Sequence, residues 1–402
     1  MNPRLGYLFE RFPAFTQTFC ARELAELYRQ GVAPPVFSIR RPIEERPLNI
    51  PLNHIPICYL PDTNSLRFKL KTKLISSRTR HLWSGSGDLR DKGRFREAVY
   101  LAPLLRQAAV SHVHVHFAGL ASRTAWWLKH VYGFTYSFTG HANDIFCPKP
   151  GQRVDLAALL NDASFVVTVS DYSAKRLSRS FPQAAGKIHR VYNGVDLSIF
   201  KQAIPSTGPT RLLSVGRLIE KKGFAFLIKA CHLLRDRGFD FECKIVGDGP
   251  ERASLLESIQ TNQISKHVHL TGSMSQPGIV DLLAQSSIFV FPAIRDRFGD
   301  TDNLPTVLIE AMASRLSLIA TDVAGISEIV HHQKNGILVP EKDPMQLADA
   351  IELLGSNRSL LNQYGQMSRQ IAEKKFSLST TVPELKRLFV RFNLVEREKA
   401  DP

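Results

Sequence analysis

No apolar run in this 402-residue chain approaches the roughly 20 residues that a membrane-spanning helix needs. The opening residues, Met1 to Glu10, carry no signal-peptide pattern and read as a first β-strand, so a cytoplasmic protein is expected. Cysteine is scarce: Cys20, Cys58, Cys147, Cys231 and Cys243 are scattered, odd in number, and never at CxxC spacing. That pattern argues against a disulfide framework and for reduced, mostly buried thiols. Only Cys147 lies near a candidate site, and it is not read as a catalytic thiol. Internal repeats and low-complexity tracts are missing too. With 44% hydrophobic residues, the chain has ample material for two or three folded domains.

Acidic residues are short in one half only. Residues 1–205 hold 28 Lys+Arg against 14 Asp+Glu, a balance of +14, whereas residues 206–402 hold 24 against 23, a balance of +1. A basic half can face nucleic acid, an anionic membrane or a phosphorylated substrate. Its densest part is Arg67–Arg106, where Lys69, Lys71, Lys73, Arg78, Arg80, Arg90, Lys92, Arg94 and Arg96 are interleaved with Leu66, Phe68, Leu70, Trp83 and Phe95. That mixture suits a segment lying on acidic lipid, and equally an ordinary solvated basic helix.

Strands and helices alternate along the chain in two series. The first runs from the strand at Arg4–Phe9 to the strand at Ile188–Tyr192. The second begins with the strand at Arg211–Val215, after a Pro/Ser/Thr/Gly linker at 196–209. Two such series predict two α/β domains with parallel sheets, and their strands are expected to lack alternation because both faces are covered. Ligands in such sheets sit beyond the carboxyl ends of the strands, so the residues that follow each strand matter most.

In the second series, Gly216-Arg217-Leu218-Ile219-Glu220-Lys221-Lys222-Gly223 follows one strand. Gly216 permits close backbone approach, and Arg217 and Lys222 bring two cations to the sheet edge, apt for a diphosphate. The spacing fits neither GxGxxG nor a Walker loop. Gly247-Asp248-Gly249 follows the next strand, in a turn where a nucleoside can lie close to backbone. The richest stretch is Phe298–Ala313, a polar loop turning into an apolar helix at Leu304, Pro305, Thr306 and Val307. Helix starts of this kind bind anions. Glu310 is a carboxylate inside the apolar run, which is costly without a strong partner. Asp302 stands eight residues earlier. By themselves these residues also fit a capped core helix with a salt-bridged Glu. Asp300-Thr301-Asp302 is formally a DxD triplet and is read as incidental to metal binding.

In the first series His141 follows a strand in Thr139-Gly140-His141-Ala142-Asn143-Asp144. It can donate to a sugar hydroxyl, although a lone His is more often structural. His112, His114 and His116 share one strand face at period two and could bind zinc. Packing is preferred for His112 and His114, and His116 sits at the functional end of the strand.

Taken together, Gly216-Arg217…Lys222-Gly223, Gly247-Asp248-Gly249, Asp302…Leu304-Pro305…Glu310-Ala311-Met312-Ala313, Tyr192-Asn193-Gly194-Val195-Asp196 and Thr168-Val169-Ser170 resemble the donor-binding half of glycosyltransferase family 4. Arg11-Phe12-Pro13, Gln17-Thr18-Phe19, His116-Phe117-Ala118 and Thr139–Ile145 resemble the subset that builds bacterial exopolysaccharides and lipopolysaccharides. The resemblance implies an α/β GT-B fold of two Rossmann-like domains facing each other across a cleft. An acceptor-binding domain is expected at 1–200, a donor-binding domain at 201–380, and a last helix at 381–402 that crosses back to the first domain. It implies a retaining, metal-independent hexosyltransferase-type enzyme with no cofactor beyond its nucleotide diphosphate sugar donor. The acceptor would be a saccharide, lipid-linked, met while the basic half rests on the inner face of the cytoplasmic membrane. Carried over by position, Arg217 and Lys222 would bind the diphosphate and Glu310 the ribose. Gly216, Gly247 and Asp248 would border the nucleotide. Asp302 would contact donor-sugar hydroxyls, the backbone at Leu304–Val307 would meet phosphate and sugar, and His141 would line the sugar site. Catalysis is thus expected from His141, Asp302, Arg217 and Lys222. The family usually has Glu where this chain has Asp302, one methylene shorter, and its first loop often carries glycines that the loop 11–18 lacks. A nucleotide-sugar epimerase of the same fold is the nearest alternative, and a basic nucleic-acid-binding protein a more distant one.

Overall fold

The computed structural model describes residues 4–14, 17–43, 50–62, 65, 68, 69, 72, 89–146, 155–203 and 208–396. Most of the basic segment 65–88, including Arg67, Lys71, Lys73, Arg78, Arg80 and Trp83, lies outside them, as do Cys147 and linker residues 204–207. The chain divides into two compact units, Met1–Val191 with Thr381–Pro402, and Tyr192–Thr380.

The first unit is built on a seven-stranded sheet of order β3-β2-β1-β4-β5-β6-β7. Its strands are β1 Arg4–Arg11, β2 Val36–Arg40, β3 Ile57–Tyr59, β4 Val110–His116, β5 Thr135–Gly140, β6 Val166–Thr168 and β7 Ile188–Arg190. Every pairing is parallel. The second unit has a six-stranded parallel sheet of order β10-β9-β8-β11-β12-β13. Its strands are β8 Thr210–Val215, β9 Phe241–Val246, β10 Val268–Gly272, β11 Ile288–Phe291, β12 Ser317–Thr321 and β13 Gly336–Val339. In both sheets the chain starts in the middle, builds outward to one edge, then returns to build the other. The order therefore reverses between β1 and β4 and between β8 and β11. Such switch points open a crevice at the strands' carboxyl ends, where ligands of doubly wound sheets bind.

Residues Tyr192–Phe200 go with the second unit because Val195 donates its N–H to the Phe376 carbonyl and forms a parallel bridge with Ser377. The last helix, Leu378–Arg391, buries Val382, Leu385 and Phe389. Phe389 meets Tyr7 and His114 edge-on, at 6.3 and 5.3 Å between ring centres.

The described part of the basic segment departs from the lipid-facing reading. The helix Leu89–Gln107 buries Phe95, Ala98, Val99, Leu101, Ala102 and Leu105 in the first unit's core. Arg94 binds Glu97 at 2.6 Å, with Glu97 only 1% exposed and also accepting from the Thr124 hydroxyl. Burial pushes the Glu97 carboxyl up to about 7 against the pull of Arg94. Phe95 is a core residue, and Arg94 packs beside it with its side chain 12% exposed.

The expectation that strands lack alternation fails in β4 and β5. There His112, His114 and His116 run in register with Thr135, Ser137 and Thr139. His112 bonds Thr135 and Ser137, both at 2.8 Å, and His114 bonds Ser137 at 2.8 Å and Thr139 at 3.0 Å. A polar face can stay buried because each nitrogen of His112 and His114 meets a hydroxyl across the strands. Burial holds the pKa of His112 down at about 3 and that of His114 well below the usual range, so both are neutral.

Candidate functional site

In the second unit the loops after β8, β9 and β11 meet at the switch point, backbone against backbone. Gly247 has φ +145°, and a Cβ there would stand 1.9 Å from the Gly216 carbonyl oxygen. Gly223 has φ +68°, and its Cβ would stand 1.8 Å from the Pro292 carbonyl oxygen. The close approach that the sequence assigned to these glycine turns is thus made between loops. Bonds from Gly216 N–H to the Val246 carbonyl (2.9 Å), Leu218 N–H to Asp248 (2.9 Å) and Ile294 N–H to Lys221 (2.9 Å) stitch them together. The loop after β11 is shaped by Asp296, which accepts from the N–H groups of Phe298 and Asp300, both at 2.9 Å.

This packing sets two lysines against two aspartates. Lys222 Nζ lies 2.6 Å from Asp302 Oδ2, and Lys221 Nζ lies 3.0 Å from Asp300 Oδ2 and 3.6 Å from Asp302 Oδ1. All four side chains are between 12% and 15% exposed. Burial works against the charge of Lys221, but Asp302 and Asp300 overcome it and raise its pKa. Lys222 also sits over the Phe291 ring, 5.0 Å from its centre. Lys221 was not singled out from the sequence, although it stands beside Lys222. Arg217 and Asp248 are exposed at the same edge, and Phe298 is exposed on the loop.

Four residues past Asp302 the helix Thr306–Ala313 begins, with Pro305 as its extended cap residue. Its first N–H groups can have no partner inside the helix. Leu308 to Ala313 are buried, Glu310 among them at 7% exposure. So Gly216, Arg217, Lys222, Gly247, Asp248, Asp302 and the start of the Glu310 helix converge on the loops at one sheet edge.

The first unit has its own cluster at the β1/β4 switch point. His141 follows β5, and the expected loop after it contains a short helix, Asn143–Phe146. Asp144 ties this turn down: its carboxylate accepts from Ala118 N–H (2.9 Å), His141 N–H (3.1 Å) and Ala142 N–H (2.9 Å). Burial raises the Asp144 pKa, and those three N–H groups oppose the rise. Phe117 adopts a left-handed φ of +70°, unusual for a bulky residue. Its N–H bonds the Thr139 carbonyl at 2.8 Å and its carbonyl accepts from the Ser122 hydroxyl at 2.6 Å. His141 is wedged between the Phe19 and Phe117 rings, each with its centre 4.5 Å away. His141 Nε2 lies 3.1 Å from His116 Nδ1, and His116 Nε2 lies 3.1 Å from Glu23 Oε1. Cys20, His116 and His141 offer ligand atoms within 4.8 Å of one another, as do Glu23, His114 and His116, a spacing that a metal could use. Sequence reasoning missed Glu23, Cys20 and Asp144. Cys20 and Glu23 lie three residues apart within the helix Thr18–Arg29, which already reads as amphipathic, with nothing local to mark them.

With this geometry in view, comparison with known proteins is decisive for the two units. Residues 63–199 match the model of Glycosyltransferase Family 4, and residues 196–371 match that of Glycosyl transferases group 1. The chain thus carries matches to two glycosyltransferase families, which together span residues 63–371. The amylovoran biosynthesis glycosyltransferase AmsK of Erwinia amylovora is 38% identical over 140 residues, 35% of this chain and 34% of that protein. The putative colanic acid biosynthesis glycosyltransferase WcaL of Escherichia coli is 32% identical over 197 residues, 48% of each chain. The chain thus spans half or less of the length of these relatives. Two solved structures share the fold of this chain. A glycosyltransferase from Rickettsia africae superposes with a TM-score of 0.74 at 17% identity over 98% of this chain and 99% of that one. Anabaena Alr3699/HepE in complex with UDP does so with a TM-score of 0.74 at 17% identity, over 96% and 100%. The GT-B fold expected from the sequence, two Rossmann-like domains, is the fold found. Among the described residues no helix is long and apolar enough to cross a membrane.

Proposed function

We propose that this glycosyltransferase chain moves a sugar, with retention of anomeric configuration, from a nucleotide diphosphate sugar to a saccharide acceptor in cell-surface polysaccharide biosynthesis. The observation that carries the reading is the Lys221/Lys222–Asp300/Asp302 cluster at the β8/β11 switch point, four residues before a helix start. An arriving diphosphate competes with the aspartates for the lysines. Lys222 turns to phosphate, and Asp302 is released to take a sugar hydroxyl, so donor binding exchanges one charge-assisted bond for two. Arg217, Lys222 and the N–H groups of the helix start then face the leaving diphosphate with fixed positive charge, the form of stabilisation that costs no reorganisation during the reaction. These groups supply the charge that a divalent metal supplies elsewhere, so the reading needs no metal and no resident cofactor. Glu310, held in the apolar helix, takes the ribose hydroxyls, and His141 the donor sugar. The relatives named for amylovoran and colanic acid biosynthesis, and the HepE structures with UDP and UDP-glucose, support this class of donor and product. The excess of +14 in residues 1–205 favours a lipid-linked acceptor met at the inner membrane face.

The test is a panel of UDP-, GDP- and dTDP-sugars, assayed for binding and for transfer to lipid-linked saccharides. Transfer from one of them should fall by about two orders of magnitude or more in Glu310→Ala with thermal unfolding preserved. Full activity in that variant would sink the site assignment, and turnover of a nucleotide sugar with no acceptor present would favour epimerisation instead.

A further inference from the structure

Three strands of the first unit end together on a set of arginines. Arg11 closes β1 and is the register partner of Arg40, which closes β2. Tyr59 closes β3 opposite Ser38 of β2. Arg41 follows Arg40 directly. Beyond these strand ends lies a cavity of about 740 Å³. Arg11, Arg40, Arg41 and Asp62 supply the charged part of its lining, and Ile39, Tyr59 and Leu60 an apolar part.

The frame beneath the cavity is fixed by one fully buried serine. The Ser38 hydroxyl accepts from the Phe12 N–H at 3.0 Å and donates to the Arg40 carbonyl at 2.7 Å. The Ser38 carbonyl accepts from the Leu60 N–H at 3.0 Å. The chain is thereby tied at the ends of all three strands. The arginines are held too. The Arg11 guanidinium donates to the Arg41 carbonyl. The Arg41 guanidinium lies over the Tyr59 ring, 4.7 Å from its centre. A guanidinium carries five N–H donors, more than one such contact consumes. Arg40 pairs with Glu10 at 3.1 Å, but the two side chains are 46% and 44% exposed. A pair so exposed is worth little, and an arriving anion can displace it. Arg94 and Arg123 add to the positive field behind Arg40: burial lowers the Arg94 pKa, Glu97 opposes the drop, and Arg123 and Arg40 deepen it.

The walls say what such a cavity takes. Three guanidinium groups select a carboxylate or a phosphate, whose oxygens match their forks with paired hydrogen bonds. A bare anion would need the arginines alone. A volume of about 740 Å³ with Ile39, Tyr59 and Leu60 in its walls suits a larger ligand with apolar faces, which sugar rings have. The cavity also lies at the carboxyl edge of the sheet, next to the β1/β4 switch point, where ligands of doubly wound sheets bind.

We propose that this cavity is an anion subsite for the acceptor: it takes a carboxylate or phosphate group carried on a saccharide. Arg11, Arg40 and Arg41 bind the anion, and the apolar wall receives a sugar ring. The arrangement selects acidic acceptors over neutral ones. Part of the basic excess of residues 1–205 then serves substrate choice rather than a lipid surface. Calling the ligand an acceptor rests on the proposed transferase function, whereas the anion site itself does not.

The test is calorimetric titration of the full-length protein with cellobiouronic acid, glucose 1-phosphate and cellobiose. At least one acidic probe should bind about tenfold or more tightly than cellobiose. The double variant Arg40→Gln/Arg41→Gln changes two exposed side chains and should remove that preference with the unfolding midpoint unmoved. Arg41→Glu alone should do the same by reversing one charge, which keeps the test decisive if the double variant unfolds early. A preference for cellobiouronic acid alone assigns the site to a sugar carboxylate. A preference for glucose 1-phosphate alone assigns it to a phosphate on the saccharide. Equal binding of acidic and neutral probes up to about 10 mM, or a preference that survives in both variants, would overturn the proposal. The titration needs neither donor nor turnover, so failure of the anion site and failure of the proposed activity are separable.

Discussion

The two switch points occupy the same place in two sheets of the same topology and carry opposite kinds of chemistry. At β8/β11 the groups are full charges of both signs, Lys221, Lys222, Asp300 and Asp302, each 12–15% exposed and paired with one another. At β1/β4 they are imidazoles and one carboxylate under aromatic rings, with His116 3% exposed. Ion pairs at partial exposure exchange partners at small net cost, which is what an anion site requires. A buried imidazole cannot exchange partners cheaply, but it can hold one proton arrangement. One topology thus holds paired full charges in one unit and buried, hydrogen-bonded imidazoles in the other. Different frames support them: backbone packed on backbone in the second unit, side-chain hydrogen bonds in the first.

The largest expected effect breaks the backbone frame. Gly247→Ala would place a methyl 1.9 Å from the Gly216 carbonyl oxygen at φ +145°. Unit 2 should lose more than about 3 kcal/mol, because neither the contact nor the conformation suits an L side chain. A fall in the unfolding midpoint of ten degrees or so would be seen by calorimetry, and an unchanged midpoint would show that the loops can separate.

The next prediction separates the units by pH. Folded His112, held down at about 3, and His114 and His141, held well below the usual range, stay neutral, whereas the unfolded chain protonates near 6.5. A depressed pKa gives stability that is full above the unfolded value and is lost as pH falls below it. Each of the three should cost unit 1 about 1.4 kcal/mol per pH unit below 6.5. His116 has the opposite sign: its pKa is raised to about 10, so its contribution is full below 6.5 and disappears as pH rises through 10. All three tryptophans, Trp83, Trp126 and Trp127, fall in residues 1–191. Glu97, raised to about 7, has the opposite slope in this window and offsets one of the three imidazoles, so tryptophan fluorescence in urea should report a midpoint that still drops from pH 6.5 to 5, while hydrogen exchange in β8–β13 changes little. Equal acid sensitivity of both units would break the comparison.

The same contrast explains what was legible in the sequence. The second unit's site is read from continuous motifs because its parts come from loops that follow three strands, each with a local signature: Gly216-Arg217…Lys222, Gly247-Asp248-Gly249, Asp302…Glu310. The succession of strands and helices followed from hydrophobic runs, and the helix start from the polar loop and Pro305, but the order of strands within each sheet did not. What motifs do not carry is pairing, so the partnership of Lys222 with Asp302 and the part played by Lys221 emerge only when the loops are packed. The first unit's hydrogen-bonded line joins Tyr7 within β1, Glu23 on the helix Thr18–Arg29, His116 at the end of β4 and His141 just after β5. Its one sequence trace is the matched period of two in His112, His114, His116 and Thr135, Ser137, Thr139. That trace becomes meaningful only once β4 and β5 are known to be neighbours in register. His112 and His114 were correctly placed in the packing, and the hydroxyls that allow it were not foreseen.

The smallest effect tests whether glycine is locked only where backbones meet. Gly93 lies in the helix Leu89–Gln107 of the first unit, and a Cβ there meets nothing within 4 Å. Nothing in the folded chain opposes an alanine, and the unfolded chain loses freedom that glycine would have kept. Gly93→Ala should therefore stabilise unit 1 by about 0.5–1 kcal/mol, the reverse in sign of Gly247→Ala. The rise should appear in the tryptophan-detected midpoint and leave exchange in β8–β13 unmoved. A loss of stability would mean that this helix uses its glycine for contact, and the assignment of backbone-to-backbone packing to the second unit alone would fail.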